Sequence, residues 1–254
     1  MENKYKKIII DALSENETVF RNDRTGVGCW SLFNQSLEWQ MEKKFPIMTS
    51  KKIYQNIFDT EFEWFINGET NIKRFKDNKI KIWDEWANDD GELGPVYGYQ
   101  LLNFNNENYN QLQNVINSIK NNPDSRRHII SLWNPNQLKD MALPPCYLYF
   151  QFFVNNNKLN MFVVQRSADL FLGLPYDICL FSKLLLYISE KTSLKASKIA
   201  LNIVDAHVYR NHYDQALQYC NNESFDFPDY EYKNNKLTLI NYKSCEAIKA
   251  PIAI

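Results

Sequence analysis

Residues 146–191 read CYLYFQFFVNNNKLNMFVVQRSADLFLGLPYDICLFSKLLLYISEK, and this stretch decides the fold class. CYLYFQFFV (146–154) and KLNMFVVQ (158–165) are apolar runs rich in aromatic and β-branched residues. The polar triplet NNN joins them, so they read as neighbouring strands of one sheet. DICLFSKLLLYISEK (177–191) is apolar on most faces, which predicts a buried helix. The same texture continues outward. HIISLW (128–133), ALNIVDAHVY (200–209) and KLTLINY (236–242) read as further strands, and NHYDQALQYC (211–220) as a helix. On the N-terminal side, Tyr5, Ile8, Ile9, Ala12 and Leu13 fall on one face of a helix over 4–13. A polar loop, RNDRTGVG (21–28), precedes a strand over 29–41 in which Leu37, Trp39 and Met41 alternate with Ser36, Glu38 and Gln40. Ser50 is placed to cap a helix over 51–67. Tyr109, Leu112, Val115, Ile116 and Ile119 predict another helix over 108–121. There is no internal repeat, linker or break in composition. The expectation is one α+β domain over 1–254, built on a large mixed sheet.

The whole-chain numbers bound the function. The chain has 254 residues and a formal charge of −1, with 44% hydrophobic and 15% aromatic residues. That supports a sizeable core and excludes wholesale disorder. No apolar run reaches the ~18 residues of a membrane span. The N-terminus lacks the apolar stretch of a signal peptide, so the expected location is cytoplasmic, or host cytoplasm for a viral source. The balanced charge argues against coating nucleic acid but leaves room for a small anionic substrate. The five Cys are scattered without CxxC or Cys/His ligand spacing, which predicts neither disulfides nor a metal site.

Only seven residues are Arg: 21, 24, 74, 126, 127, 166 and 210. SRRH (125–128), QRS (165–167) and DRTG (23–26) place four of them in short polar motifs. Arg forms bidentate contacts with phosphate, so a shared phosphate site is expected. Cys146 stands at the mouth of a strand behind two prolines. A buried core role is ordinary for a Cys. Arg126, Arg127 and Arg166 on flanking segments point instead to a thiol with a lowered pKa, a nucleophile. Glu61, inside the aromatic segment TEFEWF, would have a raised pKa if buried and serve as an acid or base. Periodicity does not decide whether Glu61 or Glu63 faces inward.

These motifs together resemble the thymidylate synthases and their sister enzymes, the deoxycytidylate hydroxymethylases. The resemblance runs almost end to end: DRTGVG, FPIMTSKK, EFEWFINGETNI, IWDEWANDDGELGPVYGYQ, NPDSRRHIISLWNP, DMALPPC, QRSADLFLGLPYDI, DAHVYRNH and KAPIAI. It implies transfer of one carbon from 5,10-methylenetetrahydrofolate to C5 of a pyrimidine nucleotide 5′-monophosphate, with no metal and no nucleic acid required. By resemblance, Cys146 adds to C6 of the base, and Arg166 holds its thiolate and touches the phosphate. Arg24 and Ser167 complete that cradle within the chain. Arg126 and Arg127 reach it from the partner of a homodimer packed sheet to sheet. Glu61 matches the general acid/base and Tyr97 the residue that assists removal of the C5 proton. Gln165 and Asp169 match nucleotide-side positions, and His207 and Tyr209 match the pair that binds the sugar 3′-hydroxyl. Ile82, Trp83, Trp86, Asp169, Leu172, Gly173 and Tyr176 match positions around the folate, with Asp169 pairing the pterin. The tail ending at Ile254 is expected to fold over the site and exclude water.

Four positions depart from the synthase pattern. The motif GLPxNI is GLPYDI here, so Asp177 stands where an Asn reads the base. An amide suits uracil, with O4 as acceptor and N3–H as donor. A carboxylate accepts from the cytosine amino group and can share a proton with N3. The hydroxymethylases carry Asp, so dCMP is favoured over dUMP as substrate. Tyr147 replaces a frequent His, Leu101–Leu102 a Trp-Arg pair, and Ile203–Val204 a glycine pair. The product is expected to be 5-hydroxymethyl-dCMP or 5-methyl-dCMP. Asp177 leans toward the first, whereas Trp83 and the APIAI tail are synthase-like. Ordinary dTMP synthesis from dUMP is the alternative.

Overall fold

A computed structural model describes residues 1–14 and 18–253. In chain order its helices are α1 (Glu2–Leu13), α2 (Gln55–Ile66), α3 (Lys73–Asp77), α4 (Tyr97–Leu102), α5 (Gln111–Asn121), α6 (Gly173–Thr192) and α7 (Tyr213–Asn221). Its strands are β1 (Val19–Arg21), β2 (Cys29–Gln40), β3 (Ile129–Ser131), β4 (Tyr147–Asn155), β5 (Lys158–Asp169), β6 (Lys195–Tyr209), β7 (Asp229–Lys233) and β8 (Lys236–Ile240). Strands β1 to β6 form one sheet in the order β1-β2-β6-β5-β4-β3. Only β5 and β6 run parallel within it, so the sheet is mixed and the fold is α+β, as read from the sequence.

The connections follow from residue chemistry. Asn156 and Asn157 adopt positive φ in the tight turn between β4 and β5, where Asn tolerates the left-handed region. Parallel β5 and β6 need a crossover, and α6 supplies it. This helix buries residues on most of its faces, including Ile178, Phe181, Leu184, Leu185 and Ile188. Its one buried cation, Lys183, pairs with Asp59 of α2. Leu159, Met161 and Val163 of β5 and Ile199, Leu201 and Ile203 of β6 point into the core between the sheet and the helices. The opposite face carries Phe33, Phe153, Phe162 and Val204, all exposed.

Three local expectations change. The helix read over 51–67 begins only at Gln55, with Tyr54 before it, and Ser50 does not cap it. The Ser50 amide donates instead to Glu2, whose buried carboxylate also takes the Thr49 amide, the Thr49 hydroxyl and the Tyr219 hydroxyl. A carboxylate with several donors outcompetes a helix start. The helix over 108–121 begins at Gln111, where the Asn110 side chain accepts from the Gln113 amide, so Tyr109 lies outside it and is exposed. The buried helix over 177–191 starts earlier, at Gly173. Strands β1 and β7 and helices α3 and α4 were not read from the sequence. They are short, three to six residues each.

Candidate active site

The sheet register gathers one set of side chains at one end. Tyr147 pairs with Gln165, Ser167 with Asp205, Asp169 with His207, and Tyr209 with Cys29. The start of β4 and the ends of β5 and β6 therefore lie together, and the turn carrying Arg24 follows β1 at the same end. Cys146 immediately precedes β4. Its amide donates to the Tyr97 hydroxyl at 3.0 Å, and its carbonyl accepts from the Arg166 amide at 2.8 Å. Tyr97 opens α4, which Gly98 lets sit close to α2: a Cβ at Gly98 would lie 2.5 Å from the Phe65 carbonyl oxygen.

Arg166 donates to the carbonyls of Pro144 and Pro145, each at 2.8 Å, and one Nη stands 3.8 Å from the Cys146 Sγ. The expected lowering of the thiol pKa is not found. Burial pushes the Cys146 thiol up, Arg166 pulls it down, and Asp177 adds to the upward push. Burial outweighs one guanidinium at 3.8 Å. Arg126 and Arg127 do not help, because they precede β3. Ile129 pairs with Gln151, and the Arg126 carbonyl accepts from the Gln151 side chain. Gln151 lies midway along β4, on the order of 15 Å from Cys146 at about 3.3 Å per residue. Within one chain Arg126 and Arg127 thus stand apart from Arg24 and Arg166.

Glu61 faces inward from α2 and accepts from the Trp83 indole at 3.3 Å, while Glu63 is exposed and pairs with Arg74. Burial, then the Asp177 charge, raises Glu61 to about 8, with Trp83 pulling the other way. At neutral pH this carboxyl holds its proton. Asp177 lies near the start of α6 and accepts from the Gln165 side-chain amide at 2.6 Å. Burial lifts Asp177 to about 7 against that hydrogen bond. The other end of the same amide, Gln165 Oε1, is buried without a partner. Asp177 also raises the Tyr97 and Tyr147 hydroxyls, so one carboxylate is felt by the thiol, both tyrosines and Glu61. Tyr147 is buried with its ring 4.7 Å from that of Tyr97.

At the ends of β5 and β6, Nδ1 of His207 is 3.3 Å from Asp205 and 3.4 Å from the Ser167 hydroxyl. A proton on Nδ1, assigned from those contacts, leaves Nε2 free for a ligand hydroxyl. The Tyr209 ring packs edge-on against His207 at 4.8 Å. Asp169 accepts the amides of Phe171 and Leu172, both on Oδ1. Burial works to raise it, but His212, His207 and the Phe171 amide hold it below the usual carboxylate range. Beyond it, Leu172, Gly173 and Tyr176 are partly exposed at the start of α6. Burial raises the Tyr176 hydroxyl to about 12. Trp83 and Trp86 pack edge to face at 5.8 Å, with Ile82 partly exposed beside them in the chain. The Trp86 indole nitrogen is buried without a partner. Ile254 lies outside the described residues.

Two groups were not singled out from the sequence. Lys51 is buried, donates to the Phe171 carbonyl and sits 3.9 Å over the Phe171 ring; burial lowers it to about 8 despite Asp169. His212 is fully buried beside Asp169. Both lie in the quoted motifs TSKK and DAHVYRNH, but nothing in their spacing marks a Lys or His as buried. Among the described residues no group of His, Cys, Asp and Glu could hold a metal ion, and no helix is long and apolar enough to cross a membrane.

A thiol beside a guanidinium, a proton-holding carboxyl and two buried tyrosines can add to an electron-poor double bond and move protons at the adduct. These are the parts of a covalent transferase. A family model described as thymidylate synthase matches residues 3–254, and the chain belongs to the thymidylate synthase family. The family carries out folate-dependent methylation at C5 of a pyrimidine nucleotide, with methylenetetrahydrofolate as cosubstrate.

Proposed function

We propose that this chain transfers the one-carbon unit to C5 of dCMP in preference to dUMP. The observation that carries the reading is Asp177, a half-buried carboxyl raised to about 7 and held on one oxygen by Gln165. Its other oxygen is left for a base. An ionised Asp177 accepts from the cytosine N4 amino group, and one proton can be shared with N3. Against uracil the same carboxylate meets O4, acceptor against acceptor. A mismatched buried polar group costs about 1–3 kcal/mol, and more when charged.

In this reading Cys146 adds as thiolate to C6, and the electron pair freed at C5 attacks the folate's methylene carbon. The folate, when bound, supplies that electrophilic carbon. Asp169, ionised and with Oδ2 unused by Phe171 or Leu172, suits the N–H donors of a pterin, and the Trp86 indole offers a further donor. Arg166 favours the thiolate and, with Arg24 and Ser167, meets the phosphate. Glu61 relays protons near the 4-position, and Tyr97 assists loss of the C5 proton. His207 and Tyr209 take the 3′-hydroxyl. Ile82, Trp83, Leu172, Gly173 and Tyr176 line the folate side. Water captured at the exocyclic carbon gives 5-hydroxymethyl-dCMP and tetrahydrofolate, whereas hydride from the folate gives 5-methyl-dCMP and dihydrofolate. Asp177 favours the hydroxymethyl product.

Arg126 and Arg127, far from Cys146 in their own chain, serve the phosphate of a second subunit. The exposed Phe33, Phe153, Phe162 and Val204 on the sheet's outer face fit such a homodimer. Release of tritium from C5 of dCMP and dUMP, each with methylenetetrahydrofolate, tests the assignment. Faster release from dCMP is expected, and faster release from dUMP sinks it. Thymidylate synthesis from dUMP is the second reading, favoured by the family's own reaction and by Trp83 against Glu61. It would show as dihydrofolate formed with dUMP.

A further inference from the structure

His212 lies in the turn between β6 and α7, and its side chain is fully buried. Its Nε2 stands 2.6 Å from the carbonyl oxygen of Pro251, in the C-terminal segment. Its Nδ1 stands 3.8 Å from Asp169 Oδ1 and is buried without a hydrogen-bond partner. The ring is wedged between Tyr209 and Phe171, each 5.6 Å away. Two residues past Pro251, Ala253 is buried as well. One imidazole therefore bridges the end of β5 and the C-terminal segment, 39 residues beyond His212 in the chain.

A bond to the Pro251 carbonyl requires a proton on Nε2. In a neutral ring, Nδ1 would then turn a lone pair toward the Asp169 carboxylate, in a buried place. In a protonated ring both nitrogens donate, one to the carbonyl and one toward the carboxylate. The charged groups acting on the ring are Asp169 from β5 and Lys51 from the segment before α2, and the Tyr209 ring packs against it. Burial and Lys51 work against the cation. Asp169 and Pro251 overcome them, so the His212 pKa is raised.

We propose that His212 is a positioning residue that ties Asp169 to the C-terminal segment at Pro251, so that seating of that segment and affinity for the folate rise and fall together. The inference rests on the reading that Asp169 faces the folate. A donor bound at Asp169 Oδ2 fixes the carboxylate, the carboxylate holds the imidazolium, and the imidazolium holds Pro251. Linkage makes the effect reciprocal.

The test uses trypsin cleavage after Lys249, which is exposed two residues before Pro251, followed by intact mass. Wild type, His212→Phe and His212→Gln are compared with and without dCMP plus methylenetetrahydrofolate. His212→Phe should be clipped roughly tenfold faster, the size expected from losing one hydrogen bond from a charged group. It should raise the KM for the folate while leaving the KM for the nucleotide unchanged. His212→Gln keeps a donor for Pro251 and should restore much of the protection. Wild-type cleavage, divided by that of a free peptide of the same sequence, should rise as pH climbs through the raised His212 pKa. The sign follows because a raised pKa stabilises below the ordinary His value and that contribution is lost above the raised one. His212→Gln should lack this dependence. Cleavage of His212→Phe at the wild-type rate, equal rises in both KM values, or an unchanged pH response in His212→Gln would each overturn the proposal. A wild type with no turnover but His212-dependent protection would sink the folate coupling and the catalytic reading while leaving the structural tie in place.

Discussion

At the scale of single residues, Asp177 and Glu61 divide the work of protons. Burial raises Asp177 to about 7, so in the proposed reading its ionisation would tune base choice over the physiological range. A protonated Asp177 can donate to O4 of uracil, and an ionised one cannot. The ratio of dCMP to dUMP turnover should therefore increase between pH 6 and pH 8; a flat ratio would remove Asp177 from base reading. Asp177→Asn should move the ratio of kcat/KM values toward dUMP by about 100-fold or more, the range available to a site built on polar complementarity. Glu61, raised to about 8, holds its proton at neutral pH and can donate it. Glu61→Gln should lower kcat by about 10²–10⁴ with little change in nucleotide affinity measured by equilibrium dialysis. The substitution of Asp for Asn was legible in GLPYDI. The grip of Gln165 on it was not, because twelve residues of chain separate the two and only the fold brings them to 2.6 Å.

At the scale of elements, the strands and the buried helix were read well because their signal is local. Apolar runs of β-rich residues and a helix apolar on most faces carry it themselves. Helix α4, which carries Tyr97, was not legible. It has six residues, and what places it is the close approach of Gly98 to the Phe65 carbonyl. Gly98→Ala puts a Cβ 2.5 Å from that oxygen, so α4 must shift. Stability should fall by about 1–3 kcal/mol, as overpacking does. Because Tyr97 opens α4, kcat should fall as well; denaturant unfolding and steady-state kinetics check the two effects separately. The misread start of α2 has the same origin. Ser50 looks like a cap in isolation, but Glu2 reaches it from 48 residues away. Glu2→Ala leaves the Thr49, Ser50 and Tyr219 donors buried and unpaired. A loss of about 3 kcal/mol is expected, at roughly 1–3 per orphaned group without full additivity. A change in unfolding free energy under 1 kcal/mol would show that these donors find other partners.

For the whole molecule, the puzzle is the separation of its cations. Arg24 and Arg166 share the Cys146 end of the sheet, and Arg126 and Arg127 lie away from it, beside the middle of β4. The motifs alone could not show this, since separation along a sheet depends on register. The exposed outer face explains how the two sets could meet, through a second copy. Phe33 is 79% and Phe153 61% exposed there, far more than single aromatic residues normally show. Phe153→Glu should yield monomers in light scattering and lose activity together with dimerisation. Arg126→Ala mixed with a Cys146→Ala chain should recover part of the activity, because one hybrid site per dimer keeps both residues. Absence of any recovery would place Arg126 outside the partner's site.

One-carbon transfer to C5 of dCMP through Cys146 is the proposed reaction. The direct measurement is product mass after incubation of equal dCMP and dUMP, in one vessel, with methylenetetrahydrofolate. dCMP should gain the mass of CH2O, becoming 5-hydroxymethyl-dCMP, before dUMP changes, and Cys146→Ser should abolish the gain. A dUMP pool converted first to dTMP, with dCMP untouched, would contradict this assignment.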